Sequence, residues 1–463
     1  MAVTAAQSER DRIIAANRDE YGSSYPLLTF PTAAEADTAS RRRSKLLEAL
    51  AGELHAACGG SKLFTGQLSP GCRICSEGRW SCLFINGRCN KSCFYCPGSQ
   101  DETGLPTTNN LDFHSPADYA GYLEQFDFCG MSLSGGEPLL TPGRSLAFLR
   151  AAKNRFGDRL HTWLYSNGSL VTVDILKSLR DAGLNEIRFD IGAVGYSLEK
   201  PAMAAGIIPT VTIEIPAVPE EGERLKSLLP AMADAGVDHL NLHQLRLTPY
   251  NHRHFLERNY TCLHGEKVTI LESELTALEL MLHSIDRKLA LPVNYCSFVY
   301  KNRYQKAAAR SRGATLLARP YEELTQAGYL RTLLLSGEPV HLAGIAGGLA
   351  ERQLPSDSWA LTASGGQLYF SRELWSAIDF SGCRLTVSYA STPVLKGVSY
   401  RNPFKQLPLS SGRKIAVERS RIAEIALEGE AIRAFFLAID SPEHAASGHP
   451  VYERPATGLQ EYF

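Results

Sequence analysis

Three cysteines lie close together in one short segment, Cys89-Asn-Lys-Ser-Cys93-Phe-Tyr-Cys96. The C-x3-C-x2-C spacing lets a single loop place one thiolate on each of three irons of a cubic iron–sulfur cluster. A [4Fe–4S] cluster normally has four thiolate ligands, so one iron would be left for another residue or for a small molecule. An open iron on a reducible cluster can hold and reduce a substrate. The segment therefore predicts a catalytic iron–sulfur site rather than a structural one.

Zinc is the alternative metal for the same three thiols. Closely spaced cysteines also form tetrahedral zinc sites, in which a fourth ligand comes from elsewhere in the chain. On spacing alone we favour iron–sulfur chemistry, and zinc stays open at this point.

A second pair of cysteines, Cys72 and Cys75, has C-x2-C spacing beside a Pro-Gly turn. This spacing suits one metal ion or one edge of a cluster, and Cys296, Cys58 and Cys82 are candidates to complete the ligand set. The alternative is a pair of redox-inert thiols, because free cysteine packs well in protein cores. The pair thus predicts an auxiliary metal or cluster site, with packing as the competing interpretation.

Composition limits the classes of protein to consider. The chain has 463 residues, enough for a large core and more than one domain. Its net charge of −1 gives no global field that would collect nucleic acid or an acidic membrane surface. No stretch approaches the roughly 20 apolar residues of a membrane helix, and the N-terminus is polar, unlike a signal peptide. Eleven cysteines in such a chain predict reduced thiols, metal ligation and a cytoplasmic location.

The elements that must position these residues alternate short β-rich runs with amphipathic runs. Strands are predicted at 80–85, 128–134, 161–166, 186–190, 208–215 and 239–247, and helices at 115–125, 144–156, 173–182, 197–205 and 221–235. Each strand–helix pair has the length of a βα unit. Six units predict an α/β fold, a partial (βα)6 TIM-like barrel spanning residues 70–312.

The two ends of the chain have different patterns from the barrel. Residues 1–69 predict a helical N-terminal extension. Residues 313–463 predict a C-terminal α+β domain, with strands at 368–371, 384–389 and 414–418 and a helix within 422–439. The sequence indicates no role for this last domain, and substrate capture and partner docking are both open.

Three unusual loops follow the first three predicted strands. In parallel βα folds, ligands bind at the carboxyl ends of the strands. The segment with Cys89 follows the first strand, Gly135-Gly136-Glu137-Pro138 follows the second, and Tyr165-Ser166-Asn167-Gly168 follows the third. The sequence therefore predicts that the three loops converge on one rim of the barrel.

This combination of motifs resembles the radical S-adenosylmethionine (SAM) superfamily. The resemblance is carried by the cysteine triplet with Tyr95 before its last cysteine, the Gly-Gly-Glu-Pro segment and the Ser-Asn-Gly turn, and it covers residues 70–312. Gly71-Cys72-Arg73-x-Cys75 and Asn294-Tyr295-Cys296 further resemble a functionally unassigned subgroup related to pyruvate formate-lyase activating enzymes.

The resemblance implies a role for each motif. Cys89, Cys93 and Cys96 would hold three irons of a [4Fe–4S] cluster, and SAM would chelate the fourth. The backbone at Gly135 and Gly136 would approach SAM closely, and Glu137 would accept a hydrogen bond from its amino group. Ser166 or Asn167 would contact the ribose, and the backbone around Tyr95 the adenine. Reductive cleavage would yield a 5′-deoxyadenosyl radical that abstracts hydrogen from a substrate inside the barrel.

Three functions are open at this point. The first is radical modification of a small molecule or peptide. The second is activation of a partner protein by placing a glycyl radical on it. The third is a non-enzymatic iron–sulfur or zinc protein. The first two imply a flavodoxin- or ferredoxin-type reductant and an oxygen-sensitive cluster.

Overall fold

The computed structural model describes residues 5–440 and 450–463, which divide into two compact units. The first unit contains Met1–Gln305 together with Leu409–Arg413 and Thr457–Phe463, and the second contains Lys306–Pro408 and Lys414–Ala456. None of the helices among the described residues has the length and apolar character needed to cross a bilayer.

The first unit alternates strands and helices along most of its length. Its helices are α1 Ala5–Tyr21, α2 Ala33–Leu50, α3 Pro70–Ser76, α4 Pro116–Gln125, α5 Pro142–Phe156, α6 Val173–Asp181, α7 Glu199–Ala204, α8 Gly222–Asp234, α9 His252–Leu256 and α10 Leu271–Asp286. Its strands are β1 Leu54–Ala57, β2 Lys62–Thr65, β3 Trp80–Asn86, β4 Thr107–Thr108, β5 Leu111–Asp112, β6 Gly130–Gly135, β7 His161–Ser166, β8 Glu186–Phe189, β9 Thr210–Pro216, β10 His239–His243, β11 Cys262–Leu263, β12 Thr269–Ile270 and β13 Val293–Cys296.

The main sheet has the order β1-β2-β13-β10-β9-β8-β7-β6-β3-β4-β5. The six predicted strands are adjacent and parallel, which confirms the partial TIM-like barrel. A seventh parallel strand, β13, pairs with β10, and β2 pairs antiparallel with β13. The sequence analysis did not predict these two strands. The N-terminal extension is therefore helical but also contributes the β1–β2 hairpin to the sheet.

Polar residues alternate with apolar ones along the central strands. All four residues of β8 are buried, although they include Glu186 and Arg188. Successive side chains of a strand point to opposite faces, so these two charged residues share the face opposite Ile187 and Phe189. Glu214 of β9 bonds to Arg188 on this face. The alternation thus gives the barrel a charged interior and leaves the apolar side chains to the opposite face.

The second unit is an α+β domain, as predicted. Its helices are α11 Lys306–Thr315, α12 Pro339–Glu351, α13 Glu430–Asp440 and α14 Pro450–Glu453. Its strands are β14 Glu323–Leu324, β15 Leu330–Ser336, β16 Trp359–Leu361, β17 Gln367–Phe370, β18 Arg384–Ser391, β19 Val394–Leu395, β20 Phe404–Pro408, β21 Lys414–Glu418 and β22 Ser420–Glu428. The antiparallel order β16-β17-β15-β18-β22 carries a core that includes Phe370, Leu385 and Phe436.

The second unit contains the predicted helix, and a strand that the sequence analysis did not predict precedes it. The predicted helix within 422–439 is α13, which begins at Glu430, while residues 420–428 form strand β22. Residues 420–428 form a strand because they pair with β18 along most of its length. This pairing joins residues far apart in the sequence, so local strand or helix propensity does not predict it.

Candidate active site

The cysteine loop, residues 87–106 between β3 and β4, carries the three predicted cluster ligands. Cys89, Cys93 and Cys96 are free and half-buried. Backbone hydrogen bonds hold the loop, from Cys89 N to Gln100 O at 3.0 Å and from Cys96 N to Cys93 O at 3.0 Å. Burial raises the pKa of the Cys93 thiol to about 11, so this thiol is protonated at neutral pH unless a metal displaces the proton.

The three thiols do not form a site for a single ion. Within residues 5–440 and 450–463, no three His, Cys, Asp or Glu side chains converge closely enough to share one metal ion. The thiolates of a cubane each bind a different iron, so the ligands of such a cluster are spread around it.

The Gly-Gly-Glu turn, residues 135–137, lies directly on the start of the cysteine loop. Gly136 N donates to Asn86 O at 2.9 Å, and Glu137 N donates to Arg88 O at 2.8 Å. A Cβ atom on Gly135 would lie 2.1 Å from Asn86 O, and one on Gly136 would lie 2.0 Å from Arg88 O. Only glycine permits this approach of two backbones, so the two glycines fix where the cysteine loop leaves the sheet.

Glu137 joins the second loop to the third. Its carboxylate is fully buried and accepts hydrogen bonds from Leu139 N at 3.0 Å, Ser166 Oγ at 3.1 Å and Asn167 N at 2.8 Å. Burial raises the pKa of this carboxyl, and the two backbone donors lower it again. Because protein donors already occupy both oxygens, the expected hydrogen bond from the SAM amino group would have to replace or share one of them.

The Ser-Asn-Gly turn, residues 166–168, closes the arrangement by contacting the cysteine loop. Asn167 Nδ2 donates to Asn90 Oδ1 at 2.9 Å and lies 3.7 Å from Cys89 Sγ. Ser166 is buried, and its hydroxyl both donates to Glu137 and accepts from Gly168 N at 3.0 Å. The three loops thus meet at one rim, where parallel βα folds bind their ligands.

Tyr95 is held by an aspartate that the sequence analysis missed. Its hydroxyl donates to the carboxylate of Asp190, 3.0 Å from each oxygen, and its carbonyl accepts from Asn251 Nδ2 at 3.2 Å. Burial raises the pKa of Asp190 to about 6. The sequence could have pointed to Asp190, because this residue directly follows β8 and the carboxyl ends of all the parallel strands face this rim.

A row of charged side chains, the interior network, lines the barrel below the rim. Arg188 donates to Glu186 at 2.8 Å and to Glu214 at 2.7 Å. Glu214 also bonds to His243 Nε2, and Lys301 Nζ lies 2.9 Å from His243 Nδ1. Burial alone would raise the pKa of Glu214, but Arg188 and His243 hold it below its ordinary value. The interior face of the barrel therefore carries a connected row of paired charged and polar side chains.

Three of the cysteines considered for an auxiliary site, Cys72, Cys75 and Cys296, lie in one region. Cys72 and Cys296 are buried, and Asn294 Nδ2 lies 3.8 Å from Cys72 Sγ and 3.3 Å from Cys296 Sγ. Cys75 Sγ lies 3.2 Å from the hydroxyl of Tyr300. Cys82 is placed elsewhere, beside Ser132 and Ser134. Cys72 and Cys296 thus share Asn294 as a neighbour, and Cys75 contacts Tyr300 in the same region.

Comparison with known proteins identifies the family. A family model described as the radical SAM superfamily matches residues 83–214, from β3 to β9. A protein of Methanocaldococcus jannaschii, provisionally named a glycyl-radical enzyme activating enzyme (MJ0021), is 30% identical over 278 residues. The alignment covers 57% of this chain and 72% of that protein.

The solved structures that match this chain have low similarity to it. Methylornithine synthase (PylB) is 15% identical, with 59% of this chain and 76% of that chain covered and a TM-score of 0.31. SuiB of Streptococcus suis, bound to the precursor peptide SuiA, is 11% identical, with 45% of this chain and 44% of that chain covered and a TM-score of 0.29. The match thus spans less than half the length of SuiB, and similarity at this level carries no information about substrate.

Proposed function

Because the chain belongs to the radical SAM superfamily and is related to pyruvate formate-lyase activating enzymes, we propose that it reductively cleaves SAM and removes a hydrogen atom from a substrate in the barrel interior. The family uses a [4Fe–4S] cluster and SAM, and the protein is an enzyme. The observation that carries the proposal is the direct contact of three loops, in which Gly136, Glu137 and Asn167 position the cysteine loop.

The residues at the rim fit the cofactors of the family. The thiols of Cys89, Cys93 and Cys96 are free and half-buried, so they can each bind one iron. Gly135 and Gly136 let the backbone of the second loop lie directly against the start of the cysteine loop. When bound, the cluster supplies the electron for cleavage of SAM, and thereby the radical that takes the substrate hydrogen.

The chain's own residues bind and orient the reactants. Glu137 fixes the relative positions of the second and third loops, and Asn167 holds the cysteine loop through Asn90. The Asp190 carboxylate fixes the ring of Tyr95 beside the proposed adenine contact. Deeper in the barrel, Glu214, His243 and Lys301 are the proposed substrate contacts, because they form a connected polar row on the interior face.

The direct test is cleavage of SAM by the anaerobically reconstituted protein with dithionite as the reductant. We expect 5′-deoxyadenosine and methionine to form, and a Cys89→Ala/Cys93→Ala/Cys96→Ala variant to form none. Cys129→Ala is the matched control, because Cys129 is a free, half-buried cysteine away from the rim. A wild-type protein that is loaded with a cubane and yet forms no 5′-deoxyadenosine would refute the proposal.

The substrate is proposed to be a small molecule or a peptide, and the electron donor a flavodoxin- or ferredoxin-type protein. We place the reaction in a reducing compartment, such as the cytoplasm, because eleven free thiols and an oxygen-sensitive cluster need one.

A second candidate is activation of a partner protein by formation of a glycyl radical. It is favoured by the provisional name of the M. jannaschii relative. The test is electron paramagnetic resonance of a candidate partner after incubation with the reduced enzyme and SAM. A persistent glycyl radical signal on the partner would support activation. If SAM is cleaved and no such signal appears, the second candidate is refuted and the first proposal stands.

A further inference from the structure

Cys72, Cys75 and Cys296 form a cluster, the buried thiol group, that the proposed SAM site does not use. Cys72 and Cys75 lie on α3, and Cys296 is the last residue of β13. Cys72 is 3% exposed and Cys296 is 6% exposed. The half-buried Cys58 lies near the group, since its Sγ is 3.8 Å from the carbonyl oxygen of Ser76, the residue after Cys75. Four cysteines from distant parts of the first unit therefore share one environment.

Strong hydrogen-bond donors point at these sulfurs. Asn241 Nδ2 donates to Cys72 Sγ at 3.2 Å, Asn294 Nδ2 to Cys296 Sγ at 3.3 Å, and Gln305 Nε2 to Cys75 Sγ at 2.7 Å. Asn241 Nδ2 also donates to Glu214 Oε2 at 3.0 Å, and Asn294 Nδ2 to Asn241 Oδ1 at 3.0 Å, so the sulfurs take the second N–H of each of these amides. A neutral thiol is a weak acceptor for that second N–H. A thiolate or a metal-bound sulfur is a far better acceptor, and hydrogen bonds to cluster sulfurs are a common feature of iron–sulfur sites.

A buried positive charge completes the environment. Lys62 of β2 is fully buried, and its ammonium group donates to Cys296 Sγ at 3.0 Å and lies 4.7 Å from the centre of the Tyr300 ring. Among the described residues, no carboxylate lies within ion-pair distance of this ammonium group. A buried cation without a counter-charge is strongly disfavoured. The nearest groups that can become anionic are the thiols, and metal binding is what removes their protons.

An unsatisfied acceptor provides an independent observation. Asn294 is 4% exposed and its amide nitrogen contacts both Cys72 and Cys296, but its Oδ1 has no hydrogen-bond partner among the described residues. Buried polar atoms of native proteins are almost always paired with protein, water or a ligand. Thiolate and sulfide sulfurs accept hydrogen bonds and do not donate them, so the partner of this oxygen would be an iron or a water at the site.

We propose that Cys72, Cys75 and Cys296, with Cys58 as the fourth candidate ligand, bind a second iron–sulfur cluster beside the barrel interior. Thiolates would place a negative charge beside Lys62 and would be stronger acceptors than thiols for the amide groups of Asn241, Asn294 and Gln305. An iron–sulfur cluster fits better than a single zinc ion, because no three Cys, His, Asp or Glu side chains among the described residues are placed to share one ion, whereas each thiolate of a cluster can bind a different iron. The inference does not rest on SAM cleavage, since it uses none of the rim residues.

The test separates the two sites by removing the first. In anaerobically isolated Cys89→Ser/Cys93→Ser/Cys96→Ser protein, we expect iron and acid-labile sulfide to remain, at about four of each per chain for a cubane. Further substitution of Cys72→Ser and Cys75→Ser should remove both. A folded loop variant that retains no iron and no labile sulfide overturns the inference, and so does zinc in place of iron.

A milder variant keeps the inference testable if loss of the buried thiols prevents folding. Lys62→Met removes the positive charge beside the sulfurs and keeps a long side chain. In the loop variant, this change should lower the midpoint reduction potential of the remaining cluster, because a neighbouring cation favours the reduced, more negative state. An unchanged potential would contradict the assigned position. The loss of all iron from the loop variant, or an unchanged potential, would refute the second cluster. Neither result concerns SAM cleavage by the wild-type protein, so neither would count against the proposed function.

Discussion

The two groups of cysteines differ in how the fold holds them. The cysteine loop carries its thiols half-buried on a segment without regular structure, where Asn167 reaches Cys89 only at 3.7 Å. The buried thiol group lies on a helix and a strand end, and its sulfurs accept from side chains at 2.7 to 3.3 Å. The first arrangement leaves room for an exchangeable small molecule on a cluster. The second surrounds its proposed cluster with fixed protein donors, which suits a permanently bound group.

Removal of one loop thiol should have the largest effect on activity. In Cys93→Ala, formation of 5′-deoxyadenosine should fall by more than ~100-fold, because even residues that only support metal ligands contribute 10- to 100-fold. The rate is measured by chromatography of the product under reducing conditions. Iron bound by the buried thiol group should remain. Wild-type activity in this variant would mean that the loop does not hold the reactive cluster.

A buried charge beside the thiol group should have the largest effect on stability. Arg188→Met leaves Glu186 and Glu214 without their shared cation, so unfolding free energy should fall by about 3–5 kcal/mol. Denaturant unfolding of the metal-free chain measures this loss. Arg180→Ala removes an exposed pair with Asp181 and should change stability by less than ~0.5 kcal/mol. If both substitutions changed the unfolding free energy equally, Arg188 would not be the essential counter-charge of the two buried carboxylates.

The backbone contact at the rim should have an intermediate effect. Gly136→Ala places a Cβ against Arg88 O, so we expect a loss of about 1–3 kcal/mol and reduced cluster incorporation at the cysteine loop. Gly143→Ala is the matched control, because no atom lies within 4 Å of its added Cβ. Thermal unfolding and iron analysis compare the two variants. If the two variants had the same stability and the same iron content, the close contact between the Gly-Gly-Glu turn and the cysteine loop would not be needed for either.

The weakest expected effect concerns the support of the cysteine loop. Asn167→Ala should lower 5′-deoxyadenosine formation by ~10-fold and leave global stability nearly unchanged, since it removes contacts of a partly exposed loop. Asn167→Asp keeps the oxygen that accepts from Ser169 N but loses the donor toward Asn90 and Cys89. A fully active Asn167→Asp enzyme would indicate that this donor has no role in positioning the loop.

The sequence allowed prediction of the barrel and of its rim, but not of side-chain contacts between residues that are far apart in the sequence. The six central strands were predictable because short β-rich runs recur with helical segments between them, at the spacing of βα units. The three loops were predictable because they follow consecutive strands. Lys62 was not predictable, because its contact with Cys296 depends on the pairing of β2 with β13, both only four residues long. Asp190 and Lys301 likewise acquire their roles through residues more than 50 positions away.

The central claim is that the cysteine loop holds a cluster with one iron open to SAM. Electron–nuclear double resonance of the reduced protein with SAM labelled at the amino nitrogen and carboxylate oxygen tests it most directly. We expect hyperfine coupling of both labels to the cluster in the wild type and in Cys72→Ser/Cys75→Ser, and no coupling in Cys93→Ala. A reduced cubane at the loop that shows no coupling to either label would contradict the account.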